Sequence, residues 1–396
     1  MISENLPGSD VVIDHLKAVV KAGWKELADS PTSKRYTRHI AYPDKEGKFD
    51  NSISIKQSTV YPTTDTYCSY VIGSGKIIID NGISTIMPVA EAMKKNLYDS
   101  PYPDEESVET AMNRIYLSDG VFINIDKNAE IKEPVEIIGY ADPGEAVTSG
   151  RHLINVNENG HVNITCKLVN NGIGLLSNII DVHLYRDAVL NLSIIYEGSE
   201  RSRDVILIRI VAEDGSTINL FNGIKRSFRV HSKIDASLMN GASISYGNML
   251  INDVDSESEL IADIAHKGHD SKSETTMKSV TGASSITVLR GNIEIERSAV
   301  RSVADLKDQS LLLSDNAIAN ALPTLSIKTS EVKAKHKAAV EKIDNNKLFY
   351  MNSRGIDNTL AYELFKEAFI YDLVNMIKDA GTKKYIEDKW YRYAGH

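Results

Sequence analysis

Two imidazoles stand three positions apart in His266-Lys-Gly-His269. Borderline metals take imidazole, thiolate or carboxylate donors, and a spacing of three suits a metal when it falls on a helix. Here it falls in strand-rich sequence, so a solvated pair is the simpler reading. A third histidine, His336, stands in Val332-Lys-Ala-Lys-His-Lys-Ala-Ala-Val340. Strict alternation puts Val332, Ala334, His336, Ala338 and Val340 on one face of a strand, with Lys333, Lys335, Lys337 and Ala339 on the other. An imidazole among small apolar side chains reads first as a hydrogen-bonded core histidine.

Other chemistries lack their parts. Gly73-Ser-Gly-Lys76 resembles a fragment of a phosphate-cradling loop. That loop needs another glycine five positions before its last one and Ser or Thr after the lysine; Tyr70 and Ile77 stand there. The glycines read as a turn between strands, and no nucleotide site is expected in this chain. There is no Gly-x-Ser-x-Gly elbow and no His-Glu-x-x-His pair. Asp253 with Asp255, and Glu257 with Glu259, are pairs of a kind used in glycoside hydrolysis, but they lie in polar runs that turn chemistry explains. A β-helix carbohydrate-active enzyme is the rival they leave open. Two cysteines, Cys68 and Cys166, are too few for a disulfide framework or for the four thiolates of a self-contained cluster or structural zinc site.

The elements that must hold these residues fall into three regions. Residues 1–117 read as a mixed helical satellite. In it Val11, Val12, Leu16, Val19, Val20, Trp24 and Leu27 mark an amphipathic helix over residues 9–28, and a second helix is expected around Met87 to Leu97. Residues 118–343 carry short alternating runs behind small residues: Val162-Asn-Ile-Thr, Leu190-Asn-Leu-Ser, Ile218-Asn-Leu-Phe and Ile244-Ser-Tyr-Gly, preceded by Gly160, Ala188, Gly215 and Gly241. Their first apolar positions lie 28, 28 and 26 residues apart, and Leu260 and Ile286 extend the series with an interval of 26. A recurring turn and two-period strand predicts a β-solenoid; an all-β sandwich is the alternative. Residues 344–396 turn helical again. Asp357 or Asn358 can cap a helix carrying Leu360, Leu364, Phe365, Ala368, Phe369, Leu373, Met376 and Ile377, ending near Gly381.

The whole chain has 396 residues and a formal charge of −9. Its acidic balance argues against a nucleic-acid footprint. No apolar run reaches the ~20 residues a bilayer demands, and the amino terminus lacks a basic start with an apolar core, so a cytoplasmic protein without a membrane partner is expected.

The carboxyl-terminal third carries a resemblance. Leu322-Pro-Thr-Leu-Ser-Ile-Lys-Thr-Ser-Glu-Val-Lys-Ala-Lys-His336 and Val340-Glu-Lys-Ile-Asp-Asn-Asn-Lys-Leu-Phe-Tyr-Met-Asn-Ser-Arg-Gly-Ile356 resemble the SufB/SufD family of iron-sulfur cluster assembly proteins. His266-Lys-Gly-His-Asp-Ser-Lys-Ser273 and Ser310-Leu-Leu-Leu-Ser-Asp315 support it, over roughly residues 260–370. The resemblance implies a mainly β fold, a right-handed parallel β-helix flanked by amino- and carboxyl-terminal helical regions. It also implies a non-enzymatic scaffold closer to the SufD branch. Such a chain would bind the ATPase SufC through its carboxyl-terminal helices and pair with SufB, or with a second copy of itself, through the β-helix. A self-sufficient homodimeric scaffold is the alternative.

By the same resemblance, Leu360, Leu364, Phe365, Ala368 and Phe369 become candidates for SufC binding. His336 matches a histidine implicated in nascent cluster assembly, which makes it a candidate ligand for metal or for a transient iron-sulfur cluster. Asp308 stands where the SufB branch has an essential cysteine. Lys335 and Lys337 replace the acidic residues that flank the matched SufB histidine. The SufD branch usually reads Cys-Ser-His-Gly-Ala-Thr at this point, and this chain reads Ala334-Lys-His-Lys-Ala-Ala339. Two cations beside the imidazole repel a ferrous ion but could attract persulfide or an anionic cluster.

Overall fold

The computed structural model describes residues 68–71, 79–101, 108–115, 117–141 and 147–391. The helix expected over residues 9–28 and the Gly73-to-Lys76 segment lie outside them.

From Val147 to Leu312 the chain is a succession of strands, ten residues long with one of nine, that alternate between two sheets. Each strand pairs in parallel with the strand two before it, so one sheet grows to nine strands and the other to twelve. This is a parallel β-solenoid. Alternation sends one set of side chains between the sheets, where Val162, Leu190, Ile218 and Ile244 stack in register and are 0–2% exposed. Each such side chain contributes ~1.5–3 kcal/mol when fully buried.

The expected continuation through Leu260 and Ile286 does not hold. Both lie in the second sheet, where Leu260 pairs with Leu289 and Ile286 with Glu257, three positions out of step. Rungs differ in length, so a constant interval does not follow one column.

One corner repeats a single backbone feature. Asn128, Asn159, Asp187, Gly215, Gly241, Asp270 and Arg301 occupy equivalent positions, all with φ between +56° and +71°: 59, 56, 57, 71, 65, 59 and 60°. Their amides bond along the helix axis, as from Asn159 to the Arg186 carbonyl at 3.1 Å and from Asp187 to the Asp214 carbonyl at 3.0 Å. Asn and Asp tolerate this left-handed region better than other residues with side chains, and Gly adopts it freely. At Gly215 a Cβ would lie 2.1 Å from Asp187 Oδ1, so any larger residue there would have to displace the Asp187 side chain.

The sheets begin before residue 118. Cys68–Val71 pairs with residues 135–138, and Ser84–Pro88 runs antiparallel to residues 121–125. The helix expected near Met87 is short, α1 (Val89–Lys94), and α2 (Val108–Ile115) follows. Asn113 of α2 donates to the carbonyls of Gly150 and Ser177 at 3.0 and 3.1 Å, fastening it over the outer face of the second sheet. Under this cover Asp181 accepts from Arg209 Nε and Nη2 at 2.6 and 2.8 Å, from Arg151 at 3.3 Å and from Ser100 at 3.0 Å. Bidentate geometry keeps these buried charges compensated.

The tail forms α3 (Asn345–Ser353), α4 (Asn358–Val374) and α5 (Ala380–Ile386), capped by Asp344, Asp357 and Asp379. The single helix expected to end near Gly381 is therefore two. Met376 and Ile377 keep helical spacing, but the chain leaves α4 at Asn375, and Asp379 starts α5 with Gly381 inside it. Ile370, Leu373, Val374, Ile377, Ile386 and Trp390 cover Ile195, Phe221, Met249, Ile251 and Val280 on the outer face of the first sheet. Gly223 and Gly247 admit this contact. A Cβ there would meet Trp390 at 3.0 Å and Met376 Sδ at 2.9 Å respectively.

Candidate functional site

His336 lies on the last strand of the first sheet, Lys333–Lys342, which among the described residues pairs on one side only, with Val303–Leu312. The alternation is as expected: His336 sits beside Leu306 on the inward side, and Leu306 is fully buried. The ring itself is exposed, and among the described residues no strand covers it. Among the described residues no group hydrogen-bonds it, so it is not the satisfied core histidine that periodicity suggests.

Lys335 and Lys337 point outward, as expected. Lys335 lies beside Asp305 and pairs with it at 3.1 Å, while Lys337 lies beside Lys307. Asp308 is inward and one strand down, between Met277 and Ala338 in register. It is fully buried, and neither carboxyl oxygen has a partner that meets hydrogen-bond geometry. Burial pushes its carboxyl up to about 7, with the Gly291 backbone opposing the shift. Sequence reasoning placed Asp308 only by matching; its isolation in the core follows from alternation with Leu306 and Ser310.

The remaining candidates separate. His266 is buried, contacting Ser271 and Ser273 hydroxyls at 2.7 and 2.8 Å, and burial pushes it down to about 4. His269 is exposed and contacts Asp270 at 2.8 Å. The pair is neither convergent nor uniformly solvated. Asp253 faces Arg226 at 3.5 Å, and Asp255 accepts from the Ser284 amide at 2.9 Å. Glu257 faces Arg229 at 3.7 Å, and Glu259 bridges His231 and Arg290 at 3.1 and 2.8 Å. These carboxylates serve turns and cross-strand pairs. Cys166 is fully buried, and burial pushes its thiol up to about 12, which makes it inert as a ligand or nucleophile. Among the described residues no three His, Cys, Asp or Glu side chains group as a metal site.

The tail candidates divide by face. Phe365 and Phe369 are half-buried and pack beside Leu311, Ile343, Leu348 and Ala361. Phe369 also packs on the cluster over the first sheet. Lys278 holds this region from below, donating to the Phe369 carbonyl at 2.6 Å and to Asp372 at 2.7 Å. Leu360, half-buried, and Leu364 and Ala368, both exposed, follow one another at intervals of four on α4, and exposed Tyr371 continues that stripe. Phe349 and Tyr350 on α3 are also exposed, at 75% and 57%. Sequence reasoning missed these two and Tyr371, although Leu348-Phe-Tyr was part of the resemblance.

Comparison with known proteins follows the same lines. The family model described as SUF system FeS cluster assembly, SufBD core domain, matches residues 140–369. A chloroplastic iron-sulfur cluster assembly SufBD family protein of Arabidopsis thaliana is 24% identical over 70% of this chain and 52% of its own length. The iron-sulfur cluster assembly protein SufD of Bacillus subtilis is 25% identical over 71% of this chain and 65% of its own length. That of Plasmodium berghei is 24% identical over 76% of this chain, though only 24% of its own length is spanned. Within the described residues no helix is long and apolar enough to cross a membrane. A parallel β-solenoid whose core region matches that family model over more than half its length makes this chain a member of the SufBD family of iron-sulfur cluster assembly proteins.

Proposed function

We propose that this chain is a SufD-like scaffold subunit that works with an ABC-type ATPase of the SufC kind and pairs with SufB or a second copy through the open end of its solenoid. The observation that carries this reading is the unfinished last rung, where His336 stands exposed on a face that the rungs from Val135 to Leu306 keep buried. A solenoid end needs a cap, and an end left open with a metal-ligating side chain on it suits a joint where cargo is handled.

The nascent cluster is cargo here. Clusters are held chiefly by thiolates, and this end supplies one imidazole with lysines on the reverse face. His336 would therefore contribute a single ligand, with the remaining donors coming from the other side of the joint. Lys335 and Lys337 would draw anionic sulfur species toward the edge. Asp308, buried behind His336, can hold a proton near neutral pH. The tail supplies the other contact: α4 buries one side on the first sheet and leaves Leu364 and Tyr371 free, the pattern of a helix seated in a partner's groove. ATP hydrolysis would be the partner's, and the compartment would be the cytoplasm.

Native purification of the chain, with subunit, iron and sulfide analysis, tests this. The expected result is a nucleotide-binding subunit in the same peak and an iron and sulfide load that His336→Ala reduces at least severalfold. A chain that purifies free of any ATPase, or turns over a sugar by itself, overturns the reading.

A further inference from the structure

The outer face of the first sheet changes character over its last three strands. Farther back, one column on it reads Val189, Thr217, Ser243 and the next Asn191, Asn219, Ser245, all uncharged. The same two columns and the one beside them then place Lys272, Lys307, Lys333, Lys335 and Lys337 around Glu274 and Asp305. This is a basic patch on a chain whose formal charge is −9.

Two ordinary explanations cover only part of it. Lysines on a terminal strand repel stray strands, which accounts for Lys333, Lys335 and Lys337. Lys272 and Lys307 lie on strands that are paired on both sides, where no such protection is needed. Internal ion pairing is also incomplete. Lys307 and Lys335 share Asp305 at 3.2 and 3.1 Å, and Lys307 reaches Glu274 at 3.4 Å. Lys272, Lys333 and Lys337 meet no carboxylate among the described residues. Between Lys272 and Lys333 in register stands Val303, 39% exposed, an apolar contact flanked by unpaired cations.

The spacing selects the occupant. Alternation sets Lys333, Lys335 and Lys337 in a line about 7 Å apart, and an extended peptide with carboxylates at alternate residues repeats that interval. The tail closes one side, since Lys278, next along its strand from Thr276, is held by the Phe369 carbonyl and Asp372. Three strands by three outward positions leave a face of roughly 10 by 14 Å, room for about five extended residues. A nucleic acid would run on over the acidic remainder of the chain, which repels it.

We propose that this face docks a short extended acidic segment of a partner protein, its alternate carboxylates meeting Lys333, Lys335 and Lys337 and an apolar side chain resting on Val303. His336 projects from the opposite side of the same strand, so a partner docked here is held beside the open end. The inference does not require that end to be a joint.

Fluorescence anisotropy with the full chain tests it, using a labelled peptide of alternating Glu and Thr. Saturable binding is expected, weakened roughly tenfold or more by Lys272→Glu combined with Lys337→Glu, and again by molar salt. Lys127→Glu, which changes an exposed pair with Glu158 at an early corner, should alter affinity less than about twofold. A peptide of the same composition with its glutamates in one block should bind several-fold more weakly. No binding, or equal binding by wild type and the double variant, overturns the proposal. Equal binding of the two peptides overturns its extended geometry, and a single-stranded oligonucleotide of the same length that binds more tightly than either overturns the choice of a protein partner.

Discussion

Asp308 is fully buried at this end of the molecule, and its burial costs stability once the carboxyl ionises. Its carboxyl ordinarily titrates near 4, and burial, only partly opposed by the Gly291 backbone, raises it to about 7. The folded state then binds more protons than the unfolded one across that interval, so stability falls as pH rises from about 4 to about 7 and is level above it. Asp204 acts in the same direction up to about 6, raised by burial against the hydrogen bonds from Ser227, Tyr196, Asn170 and Ser202. Buried His152 and His266, pushed down to about 4, act oppositely between 4 and 6.5. Comparing wild type with Asp308→Asn isolates the one group. The variant is expected to be more stable at pH 8 by ~2–4 kcal/mol and nearly equal at pH 4. Denaturant midpoints at the two pH values check it, and an equal difference at both would refute the assignment. Alternation alone places Asp308 inward, and with it His336. That His336 would be exposed was not legible, because nothing in Val332 to Val340 says that no further strand follows.

Among the elements, α4 has two sides with different tasks. Phe369 lies over Lys278, whose ammonium is 4.9 Å from the ring centroid, and joins the cluster with Met249 and Val280. Phe369→Asp places a carboxylate in that cluster and is expected to loosen the tail, at a cost of a few kcal/mol. Limited proteolysis should then cleave near α4. Leu364→Asp and Tyr371→Asp alter exposed positions and should leave stability within ~0.5 kcal/mol, while weakening capture of a SufC-type ATPase at least tenfold. Equal capture by these variants and wild type would remove the stripe from the interface. The amphipathic spacing from Leu360 to Ile377 revealed a helix with an apolar face. It could not show that Phe365 and Phe369 turn toward the sheet while Leu364 turns away, since the sheet's outer contour depends on Gly223 and Gly247, far off in sequence. Asp379, a cap as good as Asp357, went unweighed behind Gly381.

For the whole molecule, like stacks on like. Val162, Leu190, Ile218 and Ile244 form one column, and the intervals between them were visible as a repeat. Later rungs hid it by inserting one to three residues at corners, so Leu260 and Ile286 mimicked a period they do not share. The corner column is legible only in part, because Arg301 holds the same left-handed conformation as Gly215 and is tied to Asp270 instead. Such a stack is stiff along its length and incomplete at its end, which suits a scaffold that is finished by another chain. Hydrogen exchange resolved to single amides of the terminal strand tests that claim most directly. In the dilute chain the amides of Ala334, His336, Ala338 and Val340 should exchange at nearly free-peptide rates. Those of Lys335, Lys337 and Ala339 should stay protected by the neighbouring strand, and assembly should slow the first group at least a hundredfold. First-group amides that exchange equally fast in the assembled state would contradict the claim that this end is the joint.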